Sequence, residues 1–159
     1  MTTLALWDCE TNGLLDPKRD KHQNIIEPAM DRLHSLCARL RDMETGTIIK
    51  NISACDQRGF SKGQRHYYLP GLGPAPVVLN PGEVPPEGAV VWERMSIVDA
   101  LEEIAQADVR VAHNGQAFDD RAVRKVYPWF TPKPGSKDLD TLIMSRFIYP
   151  DIHRTGPNG

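Results

Sequence analysis

The chain has 159 residues, enough for one domain with a sizeable core, since a domain of about 150 residues buries roughly 68–70% of its unfolded surface. Nineteen Lys and Arg against 21 Asp and Glu leave a formal net charge of −2. This excludes a global basic footprint for nucleic acid, so contact with a polyanion has to be local or metal-mediated.

The first element is the apolar run Leu4-Ala5-Leu6-Trp7, which ends in Asp8-Cys9-Glu10-Thr11. Four apolar residues in a row predict a strand buried on both faces of a parallel or mixed sheet. Side chains alternate along a strand, so Asp8 and Glu10 share one face and Cys9 takes the other. Two carboxylates on one face repel each other and are tolerated when a cation lies between them. Hard oxygen ligands suit Mg2+ or Mn2+. D-x-E is also a short, common pattern, and a strand ending at Asp8 with both acids in a solvated turn before Asn12-Gly13 explains it more simply.

Lys18, Arg19, Lys21 and His22 form a small basic cluster, read as a solvated loop. Leu33 to Arg41 reads as a strand, Met43 to Gly46 as a hairpin turn and Thr47 to Ala54 as the returning strand. From Asp56 to Trp92 glycine and proline interleave, which rules out a helix and leaves only short extended pieces such as Val77-Val78-Leu79. The expectation is an insertion loop within a single 1–159 domain.

Ser96 with Asp99 three residues on makes a capping box for a helix with the stripe Ile97, Leu101, Ile104 and Ala105. Arg110 to His113 is a short strand. A second helix runs from Phe118 to Tyr127, a last strand from Lys137 to Asp140, and a third helix from Thr141 to Tyr149. Three strands followed by alternating helices and strands predict an α/β fold, a mixed sheet with flanking helices.

In the second helix Asp119 falls in the middle of the arc formed by Phe118, Ala122, Val123, Val126 and Tyr127. A carboxylate there needs compensation. Acids in a first helical turn also favour the helix dipole, which explains the residue type but not its facing. Two acids from a strand and one from a packed helix, converging on one cleft, fit a two-metal site for phosphodiester cleavage.

Three cysteines without a C-x-x-C pair predict reduced thiols and a cytoplasmic setting, with Cys9, Cys37 and Cys55 as small core residues. The five histidines show no zinc spacing, and no apolar run is long enough to cross a membrane.

Asp8-Cys9-Glu10-Thr11-Asn12-Gly13-Leu14 resembles the first motif of the DEDD superfamily of 3′–5′ exonucleases. His113-Asn114-Gly115-Gln116-Ala117-Phe118-Asp119 resembles the second, and Asp138 to Arg146 the stretch that follows it. In this order the blocks look most like the N-terminal proofreading domain of family A DNA polymerases from short-tailed bacteriophages. The resemblance implies a ribonuclease-H-like fold with a mixed five-stranded sheet. It implies two Mg2+ or Mn2+ ions, a single-stranded DNA 3′ end as substrate, and a polymerase domain in a longer chain or a replication partner. It implies a location in the host-cell cytoplasm and no membrane.

By position, the resemblance has Asp8 bridge two ions, Glu10 hold the ion that carries the attacking water, and Asp119 bind the second ion. Thr11 and Leu14 would line the pocket of the 3′-terminal nucleotide, with Leu14 packed on its base, and Asn114 and Phe118 would shape the same cleft. Asp140 is outside the metal-binding set and is expected to cap the third helix. The family's last motif, Y/H-x-x-x-D, is absent after Asp140. The expectation is a chain truncated before the family's final helices and weakly active or inactive alone. The alternative is a catalytically incomplete module that binds single-stranded DNA or a replication partner.

Overall fold

The computed structural model describes residues 1–56, 63–69 and 76–148. Ten strands and three helices occur among them: β1 (Thr3–Thr11), β2 (Lys18–Arg19), β3 (Ile25–Glu27), β4 (Leu33–Asp42), β5 (Ile48–Ala54), β6 (Arg65–Tyr68), β7 (Val77–Leu79), β8 (Val90–Met95), α1 (Ile97–Ala105), β9 (Val109–Ala112), α2 (Asp119–Val126), β10 (Lys137–Asp140) and α3 (Thr141–Ile148).

Eight strands form one mixed sheet in the order β10-β9-β1-β4-β5-β8-β6-β7. β1 runs antiparallel to β4 and parallel to β9, and β10 runs parallel to β9. The α/β architecture agrees with the sequence pattern, but the sheet has eight strands where five were expected. The extra three, β6, β7 and β8, come from the Asp56–Trp92 insertion and its continuation to Met95. Glycine and proline there exclude helix but leave room between them for the β-branched and aromatic runs that pair as β6–β8 and β6–β7. The expected solvated loop at Lys18 is likewise a two-stranded ribbon, β2–β3, closed by a turn in which Asp20 accepts from the His22 and Asn24 N–H groups.

One face of the sheet carries the core. Ala5, Trp7 and Cys9 of β1 lie opposite Leu40, Ala38 and Leu36 of β4 and are buried with them. Ile52 and Ala54 of β5, Leu101 and Ile104 of α1, and Ala122 and Val123 of α2 close over them. Phe130 fills the remaining space, its ring centroid 6.5 Å from that of Trp7. Helix α1 starts where expected: the Ser96 hydroxyl accepts from the Asp99 N–H and donates to its carboxylate.

The other face is open, which corrects the reading of β1 as buried on both sides. Leu6 is 37% exposed, and Asp8 and Glu10 are exposed beside it. An apolar run reads alike whether one or both faces are covered; here both helices that contact β1 or β4 pack on the opposite side. Cys37 sits opposite Asp8 and is exposed, so it is not the small core residue expected, whereas Cys9 is buried. Helix α3 has no buried residue, and Phe147 at its end is 83% exposed. No helix among the described residues is long and apolar enough to cross a membrane. Tyr149, Pro150 and the tail in which the last motif was sought lie outside the described residues.

The turn between β9 and α2 has a tight point. A Cβ added to Gly115 would overlap the Ala112 methyl, which has no flexible end to move away. Gly115→Ala is expected to cost about 1–3 kcal/mol through overpacking. A urea unfolding midpoint unchanged from wild type would show that the turn has slack.

Candidate active site

Asp8 and Glu10 sit near the end of β1, on the open face, as strand alternation requires. Opposite the end of β1 the register with β4 slips between Glu10 and Thr11, leaving His34 as an extra residue. Bulges of this kind often re-aim side chains next to active sites. Among the described residues neither Asp8 nor Glu10 has a hydrogen-bond or ion-pair partner.

Asp119 opens α2 and is 2% exposed, as its place on the apolar arc predicted. It does not cap the helix. Phe118 holds the N-cap position without a side-chain hydrogen bond. Instead, Asp119 Oδ1 accepts from the Cys9 N–H at 3.0 Å. The ladder between β1 and β9 ends at Leu6–Val111, so beyond it a carboxylate satisfies a strand N–H that has lost its neighbour.

Asp119 feels the charge of Asp8. Burial raises the Asp119 carboxyl above its ordinary range, partly offset by the Cys9 thiol and N–H, with the charge of Asp8 adding to the rise. Burial likewise pushes the Cys9 thiol up, reinforced by Asp119 and more weakly by Asp8 and Glu10, so it stays protonated. The Cys37 thiol, although the residue is exposed, is raised by partial desolvation from the neighbouring strands and then by the same three acids. Cys9 is thus the residue around which the acids gather. No local pattern could have shown this, because Cys9 and Asp119 are 110 residues apart.

Oxygen donors without basic partners match the chemistry of Mg2+ or Mn2+. A ready-made cage is absent: among the described residues no three His, Cys, Asp or Glu side chains are arranged to hold an ion. The observed arrangement has a physical cause, since like charges separate and Asp119 turns to the N–H of Cys9.

The residues expected around the 3′-terminal nucleotide are held by local bonds. Thr11 donates to the Gly13 carbonyl at 2.7 Å. Leu14 is exposed, while its carbonyl accepts from the Met30 N–H at 2.7 Å. Lys125 of α2 donates to the Leu15 carbonyl, tying this segment to the helix that carries Asp119. Asn114 adopts a left-handed conformation (φ 59°), and its carbonyl accepts from the Ala117 and Phe118 N–H groups. Asp140 caps α3 as expected, accepting from the Leu142 and Ile143 N–H groups. It also accepts from those of Asn114 and Gln116, which the sequence did not suggest.

An open trough of about 640 Å³ lies on the uncovered face and includes Asp8. Cys37, Arg39, Trp92, His113 and Thr141 also line it, and Glu10, Asp119, Thr11, Leu14, Asn114 and Phe118 do not. Strand register gathers these residues from five segments, so sequence spacing alone does not reveal the trough.

No protein-family model matches the chain, and no curated protein matches it. Among solved structures, the chain is similar to E. coli exonuclease I in complex with a dA16 oligonucleotide, with a TM-score of 0.47 and 18% sequence identity. The similarity covers 95% of this chain and 31% of that one, so the chain spans about a third of its length.

Proposed function

We propose that the chain is a ribonuclease-H-like, metal-dependent 3′–5′ exonuclease domain that hydrolyses the 3′-terminal phosphodiester of single-stranded DNA. In its finer form, the proposal is a proofreading domain of a phage-type DNA polymerase. The observation that carries it is the pair Asp8 and Glu10, exposed without basic partners at the end of a central strand, next to Cys9, whose N–H is bound by buried Asp119. The motif resemblance around these acids supports the same reading.

Asp8, Glu10 and Asp119 would hold the divalent ions, which when bound supply charge stabilisation to the attacking and leaving oxygens. The chain's own contribution is to keep these acids in place. Cys9 orients Asp119 through its backbone N–H. The β1 ladder with β4 fixes Asp8 and Glu10 on one face. Leu14, exposed and anchored through its backbone, offers an apolar surface for the terminal base. With a net charge of −2 and a cluster of acids at the site, the chain repels phosphates unless cations intervene. Binding of DNA should therefore require the divalent ion.

A second reading, a module that binds single-stranded DNA or a replication partner without cleaving, is favoured by the absence of a ready-made ligand cage among the described residues. An oligonucleotide labelled at its 3′ nucleotide separates the two. Exonuclease action predicts release of labelled mononucleotide in Mg2+ or Mn2+ and none in chelator. Binding of the strand with no release under any metal would favour the module.

A further inference from the structure

We infer that His113 holds the attacking water, accepting its hydrogen bond at Nε2; this role rests on the hydrolase reading above. The placement comes from strand register. β1 and β9 are parallel and pair Leu4 with Val109 and Leu6 with Val111. Two residues further along come Asp8, still in β1, and His113, one residue past the end of β9. Asp8 faces Cys37 across β4, and the Ala112–Asp140 pair brings Thr141 beside His113 on the other side. Cys37 of β4, Asp8 of β1, and His113 and Thr141 just past the ends of β9 and β10 thus follow one another in a row, and all four line the same open trough.

A hydrogen bond orients the ring. His113 Nδ1 lies 3.0 Å from the Thr141 hydroxyl oxygen, and that oxygen lies 3.4 Å from the Ala112 carbonyl. In the proposed state the hydroxyl donates to the carbonyl and the Nδ1–H donates to the hydroxyl, which leaves Nε2 with its lone pair. A hydrogen bond at one imidazole nitrogen commonly fixes the orientation and tautomer that the other uses. Thr141 is itself held in place, because the Asp140 cap fixes the first turn of α3. No ion pair engages His113 among the described residues.

In the hydrolysis the water oxygen bonds to phosphorus and the bond from phosphorus to the O3′ of the preceding nucleotide breaks. The water proton passes to Nε2 and from there to solvent, and the departing O3′ takes a proton from solvent.

The test compares wild type, His113→Ala, His113→Gln and Thr141→Val on a 3′-labelled single strand in Mg2+. His113→Ala should lower kcat by about 10²-fold or more with little change in KM, the usual scale for a positioned proton acceptor. His113→Gln keeps an acceptor and should recover part of the loss. Thr141→Val keeps the ring but frees Nδ1 and should fall between wild type and His113→Ala. Independently of turnover, nitrogen-15 NMR of the wild-type ring should show a protonated Nδ1 and an unprotonated Nε2, with the tautomers mixed in Thr141→Val. An active wild type matched by His113→Ala, or the opposite tautomer in wild type, would overturn the role of His113 alone. A wild type that releases no nucleotide overturns the hydrolase reading and the role with it.

Discussion

Asp8→Ala is expected to cut release of the 3′-terminal nucleotide by on the order of 10³-fold and to leave the domain no less stable in chelator. Loss of several kcal/mol of charge stabilisation lowers the rate tenfold for each ~1.4 kcal/mol. The stability half follows from the surroundings of Asp8. It is exposed, has no bonding partner among the described residues, and raises the protonation tendency of Asp119, Cys9 and Cys37. Removing it relieves like-charge repulsion and breaks no contact.

The pH dependence has a definite sign. The Asp119 carboxyl is raised in the folded state. Its contribution is therefore stabilising below its ordinary, unfolded pKa and is lost as pH rises through the folded value. In chelator, wild type should lose stability across that window, and Asp8→Ala should lose less, because one cause of the rise is gone. Saturating Mg2+ or Mn2+ should reverse the order. An ion that binds only the folded state stabilises by about 2.7 kcal/mol at a hundredfold excess over its Kd, and the variant should gain little. Thermal melts with and without metal read all of this. A large fall in Tm for Asp8→Ala in chelator would make Asp8 a structural residue and end the metal-site reading.

Asp140→Ala is expected to be the most destabilising of the substitutions considered, by about 3–5 kcal/mol. One carboxylate accepts from four backbone N–H groups, those of Asn114, Gln116, Leu142 and Ile143. Each hydrogen bond to a charged group contributes roughly 1.5–3 kcal/mol, and four that share one acceptor add less than their sum. The side chain is 4% exposed, so water can replace it only in part. Burial alone would push the Asp140 carboxyl up, but the N–H groups of Gln116, Leu142, Ile143 and Asn114 together outweigh it and hold it below the usual carboxylate range.

For a lowered carboxyl the stabilisation is present above the unfolded pKa and is lost as pH falls through the folded value. Wild type should therefore weaken on that acid limb, and Asp140→Ala should show a flatter one. Urea midpoints measured from neutral pH downward check both the size and the slope. Equal slopes would mean that Asp140 does not carry the acid sensitivity. Because the same carboxylate ties the turn after β9 to the start of α3, activity should fall with stability.

Local signals in the chain determined its local structures. The Ser96–Asp99 box marks the start of α1, the apolar arc around Asp119 marks the buried face of α2, and Asp140 caps α3. These features were legible because helix periodicity and end-capping depend on residues three or four apart. The alternation that puts Asp8 and Glu10 on one side of β1 was legible for the same reason.

What only the tertiary structure decided depends on pairing between distant segments. The run Leu4 to Trp7 is equally apolar with one face covered or two, and helix placement left Leu6 and both acids uncovered. The insertion became three strands because β6 found β8 and β7, a choice of register that local composition does not encode. The compensation of Asp119 lies in Cys9, and the row from Cys37 through Asp8 and His113 to Thr141 exists only once four strands are in register. By itself, then, the sequence determined which residues are acids on a strand or a helix face. Their neighbours were decided by long-range hydrogen bonding, because the ladder of a sheet is satisfied by whichever distant segment supplies the matching backbone groups.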